Sequence, residues 1–181
     1  LHKIPVTSYQ LLGTSYWFLV WSILIVISTY DTRHKIIPTG LVYFFIALAL
    51  AQLLLEFTSS GFQFPASILQ HLFSGPLLAA PLASLWLLSR GAWMGLGDAK
   101  LALGIGWLLG LSRGVAALTL SFWIGALVAL GILAAQRAHL FAARGAITMK
   151  SEIPFGPFLV AGTFLAWFFT LDVAALMRWF L

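Results

Sequence analysis

Long apolar stretches separated by short polar connectors dominate the chain. Most of them approach the roughly 20 residues that an α-helix needs to cross a hydrocarbon core of about 30 Å. Because strand-like alternation of apolar and polar positions is absent, the pattern favours a helical bundle over a barrel. Hydropathy predicts an all-α bundle of six transmembrane helices, at residues 11–30, 41–57, 68–88, 101–112, 115–135 and 155–177.

Glycine and proline give the predicted bundle its finer features. The pair Arg113-Gly114 predicts the break between the fourth and fifth spans. Pro76 and Pro81 lie inside the third span, where we expect a kink and expect other helices to bond the carbonyl groups that the prolines leave free. Close helix packing is expected at three glycines of the fourth span, Gly104, Gly106 and Gly110.

The composition supports an integral membrane protein of one domain. Hydrophobic residues make up 61% of the chain and charged residues 8%, with a mean hydropathy of +1.01. That is too little polar surface to cover a soluble protein of this length. No polar linker divides residues 1–181, so we expect a single membrane-embedded domain. The absence of cysteine excludes disulfides, thiolate metal sites and a cysteine nucleophile.

The charges predict an orientation in the membrane. The net charge is +5, but the ten lysines and arginines are scattered between apolar segments, without the basic patch that nucleic acid requires. When successive connectors are assigned to alternate sides of the membrane, seven of these residues fall on one face and three on the other. This excess of positive charge predicts that the first face is cytoplasmic. The first group is Arg33, Lys35, Arg90, Lys100, Arg137, Arg144 and Lys150, and the second is Lys3, Arg113 and Arg178.

Two aspartates stand out among the five acidic residues. Asp31 follows the first predicted span, and Asp98, in Gly95-Leu96-Gly97-Asp98-Ala99-Lys100, precedes the fourth at a predicted N-cap position. Both fall on the predicted cytoplasmic face, so the topology allows them to meet. Two carboxyl groups that hold a water between them hydrolyse a peptide bond without serine, cysteine or metal, one as base and one as acid. We therefore expect a catalytic pair that shares a proton.

The residues around Asp98 carry further expectations. Gly95 and Gly97 are expected to let the backbone adopt positive φ and to leave room for an extended substrate. Two interpretations of Lys100 stay open: it biases Asp98 towards ionisation, or it faces lipid headgroups.

These residues resemble the prepilin leader peptidase family, membrane aspartic peptidases that process type IV prepilins and the pseudopilins of type II secretion. Three elements carry the resemblance, which covers most of the chain. They are the loop from Asp31 to Pro38, the loop from Gly95 to Leu101 and the segment from Ile153 to Phe158. We assign the third element a structural role, because its two prolines set a rigid helix entry.

The resemblance implies that Asp31 and Asp98 are catalytic and that Gly95, Gly97 and Lys100 belong to the second motif. It implies cleavage after the glycine that ends a short basic leader, at the cytoplasmic face of a bacterial-type inner membrane. The expected partners are a prepilin or pseudopilin substrate and membrane lipid. Many members also carry a zinc-binding domain with two CxxC pairs and methylate the new terminus with S-adenosylmethionine. Since this chain has no cysteine, we expect no metal and no cofactor, and methyl transfer is not expected.

Three alternatives remain open. Presenilin-like and signal-peptide-peptidase-like enzymes also pair Tyr-Asp with Gly-x-Gly-Asp, although the Pro-Ala-Leu element of those enzymes is absent here. A small ion-coupled transporter would use intramembrane acids to bind protons or cations, although no inverted repeat is found. A metal hydrolase would use the two aspartates with His34 or His139, and a chelator would distinguish it.

Overall fold

The computed structural model describes residues 6–59, 66–137 and 154–178, and within these ranges the chain is helical without strands. Three segments in this part of the chain are long and apolar enough to cross a membrane: Gln10–His34, Leu69–Ser89 and Leu96–Ala135. The expected all-α membrane architecture is therefore confirmed. The described helices are α1 (Val6–His34), α2 (Thr39–Ser59), α3 (Ala66–Ser89), α4 (Leu96–Arg137), α5 (Gly156–Phe168) and α6 (Val173–Met177).

Helix α4 folds back on itself at Gly110. This residue has φ 76° and ψ 173°, a conformation that is not helical. A Cβ atom on Gly114 would lie 3.7 Å from the Cα atom of Gly106, whereas eight residues of a straight helix span about 12 Å. Residues 96–109 and 111–137 therefore form two arms of a hairpin. They correspond to the fourth and fifth predicted spans.

Two predicted boundaries are wrong. Arg113-Gly114 is helical, because the turn between the arms lies at Gly110, where the chain has the non-helical backbone. The last predicted span, residues 155–177, is interrupted after α5, and Asp172 is the N-cap of the short helix α6. The N–H of Ala175 donates to Asp172 Oδ1 at 2.7 Å, so this side chain caps the new helix start.

The first arm of α4 lies at the centre of the bundle, and α4 packs against α2, α3 and α5. Its side chains Leu101 and Ile105 are fully buried. A Cβ atom on Gly104 would lie 2.5 Å from the Phe45 ring, and one on Gly106 would lie 2.6 Å from the Ser74 carbonyl oxygen. The predicted close packing is confirmed at these two glycines, whereas Gly110 forms the turn.

The Trp107 side chain, in the first arm of α4, bonds a carbonyl group that proline leaves free in α3. Pro76 has no N–H, so the carbonyl group of Leu72 lacks its usual partner four residues later. The Trp107 Nε1–H donates to that carbonyl oxygen at 2.8 Å. The expectation that another helix bonds a carbonyl freed by proline is confirmed here. This bond also ties the first arm of α4 to α3.

Replacing Trp107 by phenylalanine should lower the free energy of unfolding by about 1–3 kcal/mol, because the Leu72 carbonyl would then be left without a donor. Thermal unfolding in detergent measures this change. In a Pro76→Ala background the backbone gains an N–H that bonds the same carbonyl, so Trp107→Phe should have a clearly smaller effect. An equal effect in both backgrounds would show that the indole stabilises by packing alone.

The loops that carry the motifs lie at one end of the bundle. A connector of residues 35–38 joins α1 to α2, and residues 90–95 join α3 to α4. Arg33, Lys35 and Arg90 lie at this end, while the hairpin turn and α6 lie at the other. Five residues used in the sequence predictions lie outside the described residues: Lys3, His139, Arg144, Lys150 and Ile153.

Candidate active site

Asp31 lies in the last turn of α1. The helix continues past the predicted end and stops at His34, where Lys35 adopts a positive φ of 54°. The N–H of Lys35 donates to the Asp31 carbonyl oxygen at 2.7 Å, which closes the helix. The Asp31 side chain is only 4% exposed, so the helix end holds a carboxyl group inside the protein.

Asp98 lies in the first turn of α4. The helix begins at Leu96, so Asp98 is its third residue, and the predicted N-cap position is wrong. Its own backbone N–H donates to the Gly95 carbonyl oxygen at 3.2 Å. The side chain is 6% exposed, and its Oδ1 atom is buried without a hydrogen-bond partner. A buried carboxyl oxygen in this state is suited to a water or a shared proton.

One cavity of about 460 Å³ brings the two carboxyl groups together. Asp31 and Asp98 both line it, although 67 residues separate them along the chain. Apolar side chains form part of the wall, including Ile37 and Trp93, and Trp93 is 75% exposed. Two carboxyl groups around a cavity of this size can hold a water for acid–base chemistry on a peptide bond.

Gly97 brings the two aspartate loops into contact. A Cβ atom on this residue would lie 2.8 Å from the Cβ atom of Ile37, which follows α1. Neither Gly95 nor Gly97 has a positive φ, a conformation that the described glycines show at Gly91 and Gly110. The predicted backbone role of the two motif glycines is therefore wrong. Glycine is needed at position 97 because the two loops approach each other too closely there for a side chain.

Lys100 lies beside the pair. Its Nζ atom is 5.1 Å from the centroid of the Tyr43 ring on α2, and its side chain lines the cavity. A cation over an aromatic face is attracted by the ring. Neither sequence interpretation of Lys100 includes this contact. Lys35 lines the same cavity, so two cations flank the two carboxyl groups.

The third motif reaches the site through its glycine. Gly156 is the first residue of α5, and its N–H donates to Asp31 Oδ2 at 3.0 Å. Pro154 and Phe155 also line the cavity. The purely structural role predicted for this segment is therefore incomplete, because the segment contacts a candidate catalytic residue directly.

Comparison with known proteins identifies the family of this fold and site. A model described as the type IV leader peptidase family matches residues 18–130, which is more than half of the chain. The chain belongs to the type IV leader peptidase family. No curated protein and no solved structure matches it. The matched range contains Asp31 and Asp98 but ends before α5, so Gly156 lies outside it.

The metal alternative gains no support from the described part of this leader peptidase family member. Within those residues no three His, Cys, Asp or Glu side chains form a group that could hold a metal ion. His34 is exposed, and its ring packs on Tyr30 with the centroids 4.4 Å apart. His139 lies outside the described residues.

Sequence reasoning missed Gly156 and Ile37 as residues that shape the site of this peptidase family member. A signal for Gly156 was present, because a glycine between Phe155 and Pro157 opens a helix, and the first N–H groups of a helix lack partners within it. The contact between Ile37 and Gly97 has no comparable signal, because spacing along the chain does not show which loops meet.

Proposed function

We propose that the protein is an aspartic endopeptidase that removes the basic leader of type IV prepilins or related pseudopilins, with a water activated between Asp31 and Asp98. The observation that carries this proposal is that both carboxyl groups, buried in helices far apart in sequence, line one cavity. Membership of the type IV leader peptidase family supports a peptidase activity. The aspartic mechanism and the prepilin substrate are what we propose in addition.

In this mechanism one carboxylate takes a proton from the water as the oxygen attacks the scissile carbonyl carbon. The other carboxyl group donates its proton to the carbonyl oxygen, and a tetrahedral intermediate forms. Its collapse breaks the carbon–nitrogen bond as the leaving amine takes up a proton from one carboxyl group. A hydroxyl group of the intermediate gives its proton to the other carboxylate, which restores the single shared proton of the pair. The unpartnered Oδ1 atom of Asp98 is available for the water or the shared proton.

The proposed site faces the cytoplasm of a bacterial-type inner membrane. Arg33, Lys35, Arg90 and Lys100 belong to the end of the bundle that holds the aspartates, which agrees with the positive-inside rule. The cavity is lined by two lysines besides its two aspartates, so it offers a basic leader no excess of negative charge. Anionic lipid headgroups supply that attraction, and the apolar helix of the substrate lies against the bundle.

A cleavage assay tests the proposal. The protein is reconstituted into anionic vesicles with a synthetic substrate that joins a short basic leader, ending in glycine, to an apolar helix. Mass spectrometry should find one cut, after that glycine, with cleavage retained in EDTA. A matched substrate with glutamine in place of the basic residues should be cut more slowly, because its leader is not drawn to the anionic surface.

Three outcomes would contradict the proposal. A cut inside the apolar helix would favour the presenilin-like alternative. Loss of cleavage in EDTA, with recovery on adding a divalent metal, would favour a metal hydrolase. If the folded protein cleaves neither substrate, the prepilin assignment is wrong.

A further inference from the structure

We propose that Gly156 is a positioning residue, which holds the Asp31 carboxyl group in the orientation that the aspartate pair needs. This inference rests on the proposed function, since it assigns a role within the same site. Gly156 touches neither the water nor the substrate in this scheme, and it acts through Asp31.

A hydrogen bond joins Asp31 at the end of α1 to the start of α5. The Gly156 N–H donates to Asp31 Oδ2 at 3.0 Å, and the bond is buried. This N–H belongs to the first turn of α5, where the backbone N–H groups have no partner within the helix and the helix dipole favours a carboxylate. One of the two oxygens of Asp31 is thereby fixed, which restricts rotation of the whole carboxyl group.

Gly156 has no room for a side chain. A Cβ atom on this residue would lie 2.5 Å from Asp31 Oδ2 and 3.2 Å from Asp31 Cγ. Gly156 is absent from the described residues with positive φ, so its backbone conformation is open to other residues. Glycine is therefore required here by the closeness of the carboxyl group, and any side chain would push Asp31 away from its position.

Helix α5 is packed tightly into the bundle. Pro157 lies in its first turn, where the fixed φ of proline suits a helix start. Leu159 and Thr163 are fully buried. A Cβ atom on Gly162 would overlap Ser121 of α4, so the two helices are in backbone-level contact. Ser121 belongs to the second arm of α4, which packs against the first arm that bears Asp98, so α5 links Asp31 to its partner through the hairpin.

Gly156→Ala tests the inference against a matched glycine. Gly40 in α2 lies at the same end of the bundle, and a Cβ atom there meets nothing within 4 Å. Leader cleavage by Gly156→Ala should show kcat about 100-fold lower, with KM within about twofold of the parent, because a shift of about 1 Å in a reacting group has an effect of this size. Gly40→Ala should match the parent in both constants.

A spectroscopic readout separates positioning from a general loss of structure. Isotope-edited infrared spectra of labelled aspartate, with the Asp31 band assigned by its loss in Asp31→Asn, should show that band shifted in Gly156→Ala and unshifted in Gly40→Ala. In the parent, the NMR signal of the Gly156 amide should move on Asp31→Asn while the Gly40 amide signal stays in place. The NMR measurement remains decisive if Gly156→Ala does not fold.

The outcomes distinguish this inference from the proposed function. If both aspartate variants lose cleavage while Gly156→Ala cleaves within twofold of Gly40→Ala, the positioning role is wrong and the aspartic mechanism stands. A Gly156 amide signal that ignores Asp31→Asn overturns the positioning role as well. If Asp31→Asn itself cleaves normally, the proposed function has failed before Gly156 is considered.

Discussion

Asparagine in place of either Asp31 or Asp98 should lower the rate of leader cleavage by about 10²- to 10⁴-fold, the usual range for loss of a general acid or base. Asparagine has the shape of aspartate and can still accept the Gly156 N–H, but it neither takes nor gives a proton at neutral pH. The expected loss is therefore one of chemistry, with the fold retained. Initial rates and the unfolding midpoint of each variant measure the two separately.

The two substitutions should not be additive, because the carboxyl groups act on one water. The double variant is expected to be no slower than the slower single variant. Asp172→Asn is the matched control: Asp172 caps α6 at the other end of the bundle, and asparagine caps a helix equally well. Near-normal cleavage by either active-site variant, or a loss in Asp172→Asn as large as theirs, would contradict the paired mechanism.

Among the glycines, Gly110 in the hairpin turn should be the one whose substitution destabilises the protein most. Gly110→Ala places a side chain at φ 76° and ψ 173°, a region essentially restricted to glycine. The new Cβ atom would also lie 2.6 Å from Nε2 of His71. Together these effects should lower the free energy of unfolding by about 2–4 kcal/mol. Unfolding in mixed micelles measures the change.

Two comparisons separate the causes of that loss. Gly131→Ala is the control, because Gly131 lies in a helix with nothing within 4 Å of its Cβ position, and it should be neutral or stabilising by up to about 1 kcal/mol. His71→Ala combined with Gly110→Ala should recover only part of the loss, since it removes the overlap but leaves the backbone strain. Full recovery would show that the backbone conformation at Gly110 carries no penalty.

The sequence predicted the helices well because their apolar character is set locally. Each of the first three predicted spans lies within one observed helix, which extends a few residues beyond the span at its ends. The turn at Gly110 was misplaced because Gly104, Gly106 and Gly110 look alike in sequence. Two of them allow close packing, and the third has positive φ because its neighbours force the chain to reverse. Tertiary contacts decide that difference.

The candidate site was predictable in part for a similar reason. Asp31 and Asp98 were identifiable because ionisable groups are rare and unfavourable in an apolar chain. The charge count placed both at one end of the bundle, which the helix connections bear out. The hydrogen bond from Gly156 and the contact of Gly97 with Ile37 depend on how α1, α4 and α5 pack, and no local pattern specifies that packing.

The bond between Asp31 and Gly156 has a consequence for biosynthesis. Its two residues are 125 positions apart, and α5 is among the last elements of the described chain to be made. A nascent chain inserted as far as α4 has both aspartates but lacks the N–H group that orients one of them. Under the proposed mechanism, the ordered site exists only after α5 has joined the bundle, which ties proteolytic competence to late assembly.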